Sequence, residues 1–144
     1  MAITSDELLR EIYADTKTIA VVGASSDPHK AGHNIPRYLQ NMGFRIIPVS
    51  PKGGELFGEP VRASLAEIDE PIDVVDVFRP SEETPDIARQ AVDAGAKVLW
   101  LQAGISSDEA DQIATAGGLK VVMDMCMGET HARLGLGPDP HASD

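Results

Sequence analysis

Cysteine is almost absent from this chain of 144 residues: Cys126 stands alone. One thiol excludes an intramolecular disulfide framework and suits a reducing compartment, so a cytoplasmic location is expected. Bases are also scarce, 12 against 23 acids, for a formal net charge of −11. That balance argues against nucleic acid as a partner, because nucleic acid needs a basic footprint. No apolar run approaches the ~20 residues that cross a bilayer, so no membrane partner is expected either. The opening Met1-Ala2-Ile3-Thr4-Ser5-Asp6-Glu7 is acidic and helix-starting, unlike a secretory leader. No His or Cys cluster has metal-ligand spacing. His29, His33, His131 and His141 come without a nucleophile or paired carboxylates, so no catalytic residue and no enzyme activity is expected.

A chain of this length makes one domain able to bury a core without staples. Its short apolar runs alternate with segments of helical period. Thr4 to Glu7 reads as a capping box with Thr4 as N-cap, followed by Leu8, Leu9, Ile12 and Tyr13 at helical spacing. Strands are predicted over residues 18–22, 44–49, 73–78, 98–101 and 119–123. Ile35, Tyr38, Leu39 and Met42 mark a helix that stops at Gly43. Pro36 belongs early in that helix, and a start nearer Lys30 predicts a kink. Pro48 removes one ladder hydrogen bond from the second strand. Ser64 to Glu67 is a second capping box, while residues 56–61 read as an irregular loop. Residues 81–94 form another helix, and Ser106-Ser107-Asp108-Glu109 caps the next, which ends at Gly117-Gly118. Periodicity fades after Gly128, which assigns residues 1–134 to the domain and 135–144 to a flexible tail. The alternation implies an α/β fold: one Rossmann-like, doubly wound domain whose five-stranded, mainly parallel sheet carries helices on both faces.

In such a sheet a ligand binds beyond the carboxyl ends of the strands, at the switch point beside strand one. There the apolar run ending at Val22 breaks into Gly23, Ala24, Ser25 and Ser26, a turn suited to offering backbone N–H groups to a phosphate. Lys30 follows. Strand two ends in Ser50, Pro51 and Lys52, strand three in Phe78, Arg79 and Pro80, and strand four in Gln102, Ala103 and Gly104. Three cations thus meet on one edge of an otherwise repelling molecule, which points to an anion site. Ordinary NAD binding is disfavoured: no acid follows strand two until Glu55, and after Gly23 no glycine appears until Gly32. A lysine at that place suits a ribose carrying an extra phosphate, as in NADP or coenzyme A.

Several runs together resemble a known family: Val22-Gly23-Ala24-Ser25, Pro36-Arg37-Tyr38-Leu39, Val49-Ser50-Pro51-Lys52, Leu56-Phe57-Gly58-Glu59, Asp76-Val77-Phe78-Arg79-Pro80 and Trp100-Leu101-Gln102-Ala103-Gly104. Over roughly residues 5–134 the chain is similar to the stand-alone CoA-binding proteins and to the N-terminal CoA-binding domain of the succinyl-CoA synthetase α subunit. The resemblance implies non-catalytic binding of coenzyme A or a small acyl-CoA. It sets Gly23, Ala24, Ser25 and Lys30 on the pyrophosphate side and Pro51 and Lys52 on the 3′-phosphoribosyl-adenine side. Phe78, Arg79, Pro80 and Gln102 to Gly104 would line the groove. The alternatives are an NADP-binding oxidoreductase or an acyl-CoA-processing enzyme that works with a partner. Cys126, just past strand five on the same edge, reads as an ordinary half-buried thiol or, more sharply, as a site for a mixed disulfide with CoA.

Overall fold

The computed structural model describes residues 2–138. His141 and most of the predicted tail lie outside that range. In chain order the elements are α1 (Asp6–Asp15), β1 (Thr18–Val22), α2 (Ala31–Asn41), β2 (Arg45–Val49), β3 (Glu55–Leu56), β4 (Glu59–Pro60), β5 (Val74–Val77), α3 (Thr84–Asp93), β6 (Val98–Leu101), α4 (Asp108–Ala116), β7 (Lys120–Val122) and α5 (Met127–Arg133). Short 3₁₀ turns occupy Leu65–Glu67 and Ser81–Glu83. Five strands form one parallel sheet in the order β2-β1-β5-β6-β7. The chain steps outward from β1 to β2, then crosses back to β5, so the switch point lies between β1 and β5.

The strand pleat divides the core in two. Ala20, Val75, Val77, Leu99 and Leu101 point to the face covered by Ile87, Ala88 and Ala91 of α3 and Ala110 and Ala114 of α4. Ile19, Val21, Val74, Trp100 and Val122 point to the other face, under Leu9, Ile12 and Tyr13 of α1, Leu39 of α2 and Met127 of α5. Pro48 sits on β2, the edge strand, opposite Val21. At an edge the missing N–H leaves no interior ladder broken.

Four expectations need correction. The α1 N-cap is Ser5, not Thr4: its hydroxyl accepts the Leu8 N–H at 3.2 Å and its carbonyl the Leu9 N–H at 3.0 Å. Ser64 makes no capping bond, and the box shrinks to a 3₁₀ turn in which Glu67 Oε1 accepts the Ala63 N–H. The loop over 56–61 contains the β3–β4 hairpin, turned through Phe57 and Gly58 at φ 57° and 75°. The aperiodic stretch after Gly128 is α5, which buries Met127, Gly128, Thr130 and His131. Tyr13, Tyr38 and Phe44 surround the His131 ring with centroids 5.4–5.7 Å away, so a polar residue fills an apolar position. Beyond α5, Leu134 and Leu136 pack on the same cluster.

Candidate functional site

Gly23 ends β1 at φ 91°, a conformation that side-chain-bearing residues rarely adopt. Its N–H donates to the Val49 carbonyl at 3.0 Å, which ties the turn to β2. A methyl group there would lie 2.9 Å from Arg79 Cδ and 3.0 Å from the Phe78 carbonyl oxygen. Gly32 is just as constrained, since a methyl group on it would lie 2.8 Å from the Gly23 carbonyl oxygen. Helix α2 therefore presses its first turn directly against the loop that follows β1.

Pro36 explains how loop and helix are joined. It stands inside α2, not early in it, and has no N–H for the Gly32 carbonyl four residues back. That carbonyl instead accepts the Ser25 N–H at 3.1 Å. The Ser25 carbonyl accepts from His33 Nδ1 at 2.8 Å, which fixes the proton on that nitrogen, and Ser25 Oγ accepts the Asp27 N–H at 3.1 Å. Two of the turn amides expected to face a ligand, those of Gly23 and Ser25, are thus used internally. Among the described residues the amides of Ala24 and Ser26 have no internal partner. The N-terminus of α2 is bare as well. Lys30 is its N-cap, no side chain caps it, and its first turn holds no acid. By contrast α1 and α4 carry serine caps and acidic first turns. A helix end left this way is complementary to an anion.

A groove of about 1280 Å³ runs along this edge of the sheet. Of the sequence-predicted residues, it brings together Gly23, Ala24, Ser25, Ser26 and Lys30 from the turn, and Ser50, Pro51 and Lys52 from the end of β2. Phe78, Arg79, Gln102 and Ala103 line it from β5 and β6. Pro80 and Gly104 do not line it. Gly104 takes φ 83° and donates its N–H to Asp124 Oδ1 at 2.7 Å, which ties it to the β7–α5 loop. Pro80 is exposed, and its carbonyl receives the Glu83 N–H in the 3₁₀ turn. Phe78 is both wall and core, half-buried against the second cluster.

The site also takes in residues outside the set read from the strand ends, among them Cys126, which the sequence had placed on this edge. Glu83, Asp86, Ile87 and Gln90 build the α3 side of the groove, and Cys126 and Glu129 its α5 side. Arg79 is not a free cation. Its Nε and Nη2 donate to Glu83 Oε1 and Oε2 at 3.1 and 2.8 Å, which raises the arginine's pKa and lowers the glutamate's. Glu83 lies four residues beyond Arg79, but Arg79 and Pro80 precede the 3₁₀ turn and α3, so no helical period announced the pair. Burial pushes the Cys126 thiol up, outweighing the help from the Glu129 and Gly128 amides. Half-buried on the groove wall, Cys126 is held toward its thiol form.

Beneath the groove floor lies Asp76, wholly buried on β5. Gln102 Nε2 donates to its Oδ1, and Gln102 Oε1 accepts the Met127 N–H at 3.3 Å. Among the described residues Asp76 Oδ2 has no partner. Burial raises this carboxyl to about 7, with the Gln102 hydrogen bond opposing. The sequence showed Asp76 only as part of strand three and of the Asp76-to-Pro80 run, which gives no sign of how deeply it lies.

A doubly wound sheet with an uncapped helix end and a long, cation-bearing groove at its switch point defines a nucleotide-type ligand-binding domain. The CoA binding domain family model matches residues 17–132, and the chain belongs to that family. YneT of Bacillus subtilis is 41% identical over 124 residues, which is 86% of this chain and 92% of that one. A solved protein of Thermus thermophilus superposes with a TM-score of 0.87 at 41% identity, covering 91% of this chain and 99% of that one. The dinucleotide-forming acetyl-coenzyme A synthetase 1 of Ca. Korarchaeum cryptofilum gives a TM-score of 0.69 at 26% identity, covering 81% of this chain but 28% of the synthetase. Among the described residues, no helix is long and apolar enough to cross a membrane.

Proposed function

We propose that this protein binds coenzyme A, free or carrying a small acyl group, along the groove and does so without catalysing a reaction on it. The observation that carries this reading is the convergence, at the switch point of a strongly acidic chain, of the bare α2 N-terminus with Lys30, Lys52 and Arg79. The pyrophosphate fits the Ala24 and Ser26 amides and the start of α2. Lys52, held on the turn whose own N–H bonds Ser50 Oγ at 3.3 Å, fits the 3′-phosphate. The groove is larger than the ~300–1,000 Å³ usual for compact ligands, which suits an extended one. Family membership and the likeness to an acetyl-coenzyme A synthetase support the same ligand.

Binding is favoured over turnover because Arg79 on the groove wall is engaged by Glu83, Cys126 is held toward its thiol form, and the nearby His33 is tied to the Ser25 carbonyl. NADP shares the extra ribose phosphate, and Ser50-Pro51-Lys52 in place of an acid serves it equally. Calorimetric titration with CoA, dephospho-CoA, NADPH and NADH ranks these ligands. CoA is expected to bind tightest, and tightest binding by NADPH would reverse the assignment. In Lys52→Glu, CoA is expected to weaken roughly tenfold more than dephospho-CoA, about the worth of one charge-assisted contact. Equal losses would mean that the 3′-phosphate lies elsewhere.

A further inference from the structure

We infer that Glu83 is a built-in competitor for the ligand's phosphate on Arg79, and so sets how highly charged an anion must be to occupy the groove. The inference rests on the CoA reading above and names the residue that tunes it. The three groove cations are not equivalent. Among the described residues Lys30 and Lys52 have no ion pair, whereas Arg79 is clamped by both oxygens of Glu83. This two-pronged grip is the one an arginine gives a phosphate, so the carboxylate occupies the place a phosphate would take. The stem of Arg79 lies against the Gly23 turn, so its charged end reaches the phosphate loop without leaving the wall.

Nothing buries the pair. The two side chains are 47% and 45% exposed, so solvent screens it and it can exchange. Glu83 also has somewhere to go. It is the N-cap residue of α3, yet its side chain makes no capping bond there, and Pro85 occupies the first turn. Once displaced, the carboxylate can turn to the α3 N-terminus, where the helix dipole favours it. A monoanion gains little by evicting a carboxylate that is already paired. A polyanion held at the same time by Lys30, Lys52 and the α2 amides gains a third cation for the same exchange. Asp86 and Glu129 on the groove walls add to the repulsion that a weakly charged ligand fails to overcome.

The test is CoA titration of the wild type, Glu83→Gln, Arg79→Met, the double variant, and Glu82→Gln as a control for loss of one nearby charge. Glu83→Gln is expected to bind CoA about two- to fivefold tighter, the range of an exposed ion pair, while Glu82→Gln changes little. In the Arg79→Met background the Glu83→Gln gain is expected to vanish. Inorganic phosphate should compete with CoA more effectively in Glu83→Gln than in the wild type. Unchanged affinity in Glu83→Gln, with the wild type still binding CoA, overturns this inference alone. A gain that persists without Arg79 also overturns it, because long-range repulsion would then explain the effect. Absence of CoA binding by the wild type overturns the CoA reading and this inference with it.

Discussion

Replacing Asp76 by asparagine tests whether the floor of the groove is dry. The carboxyl is wholly buried and its acid form is favoured up to about pH 7, against 3.8 in the unfolded chain. Between those values the native state holds the proton more firmly, so stability falls as pH rises through the window. The full cost is present above 7 and absent below 3.8, and amounts to about 4 kcal/mol. Asparagine keeps an oxygen for Gln102 and, like the protonated carboxyl, sets an unpartnered donor where Oδ2 lies, so that cost is largely common to the variant and the acid form. The variant is therefore expected to be close to wild type in stability near pH 4 and more stable by up to about 4 kcal/mol at pH 8. Urea unfolding followed by the fluorescence of Trp100, itself buried and bonded to the Met125 carbonyl at 2.8 Å, reads this difference across the pH range. Titrating groups common to both proteins cancel in the difference. Stability curves that run parallel from pH 4.5 to 7.5 would refute the reasoning and mean that water reaches Asp76.

Two further outcomes follow from contacts at the turn and the wall. Gly32→Ala drives a methyl group into the Gly23 carbonyl and is expected to cost about 1–3 kcal/mol in urea unfolding, with weaker CoA binding by calorimetry. Wild-type values for both would show that α2 yields freely. Cys126 is expected to react slowly with iodoacetamide at pH 7.5, because its thiol is held protonated, and more slowly still with CoA bound. Rapid alkylation indifferent to CoA would separate this thiol from the ligand's path.

The central strands were legible because burial on both faces leaves them compact runs of β-branched, aliphatic and aromatic residues, as in β1 and β6. The turn after β1 was legible through Gly23, whose backbone angle demands that residue. Helix α5 was not, since it fills core positions with Thr130 and His131 and so hides its period. The role of Gly32 was hidden for another reason: what it must avoid is the carbonyl of Gly23, nine positions earlier, and no local pattern records that distance. Arg79 was correctly set on the groove, but its charge is shared with Glu83, a pairing visible only when side-chain geometry is known. Pro80 and Gly104 followed their strands in sequence yet turn off the edge too soon to reach the wall. The shift from Thr4 to Ser5 arose because either hydroxyl can start a helix, and the choice falls to where the first carbonyl bond closes.

Because the carbonyl that Pro36 leaves unclaimed is taken by Ser25, the eight-residue circuit from that serine to Gly32 is closed like a buckle, with His33 as a second fastening. Adding or deleting even one residue between them would slip the clasp and loosen the helix as well as the loop. Reshaping the groove of this scaffold should therefore proceed by exchanging side chains along the strand ends, leaving the length of that circuit alone.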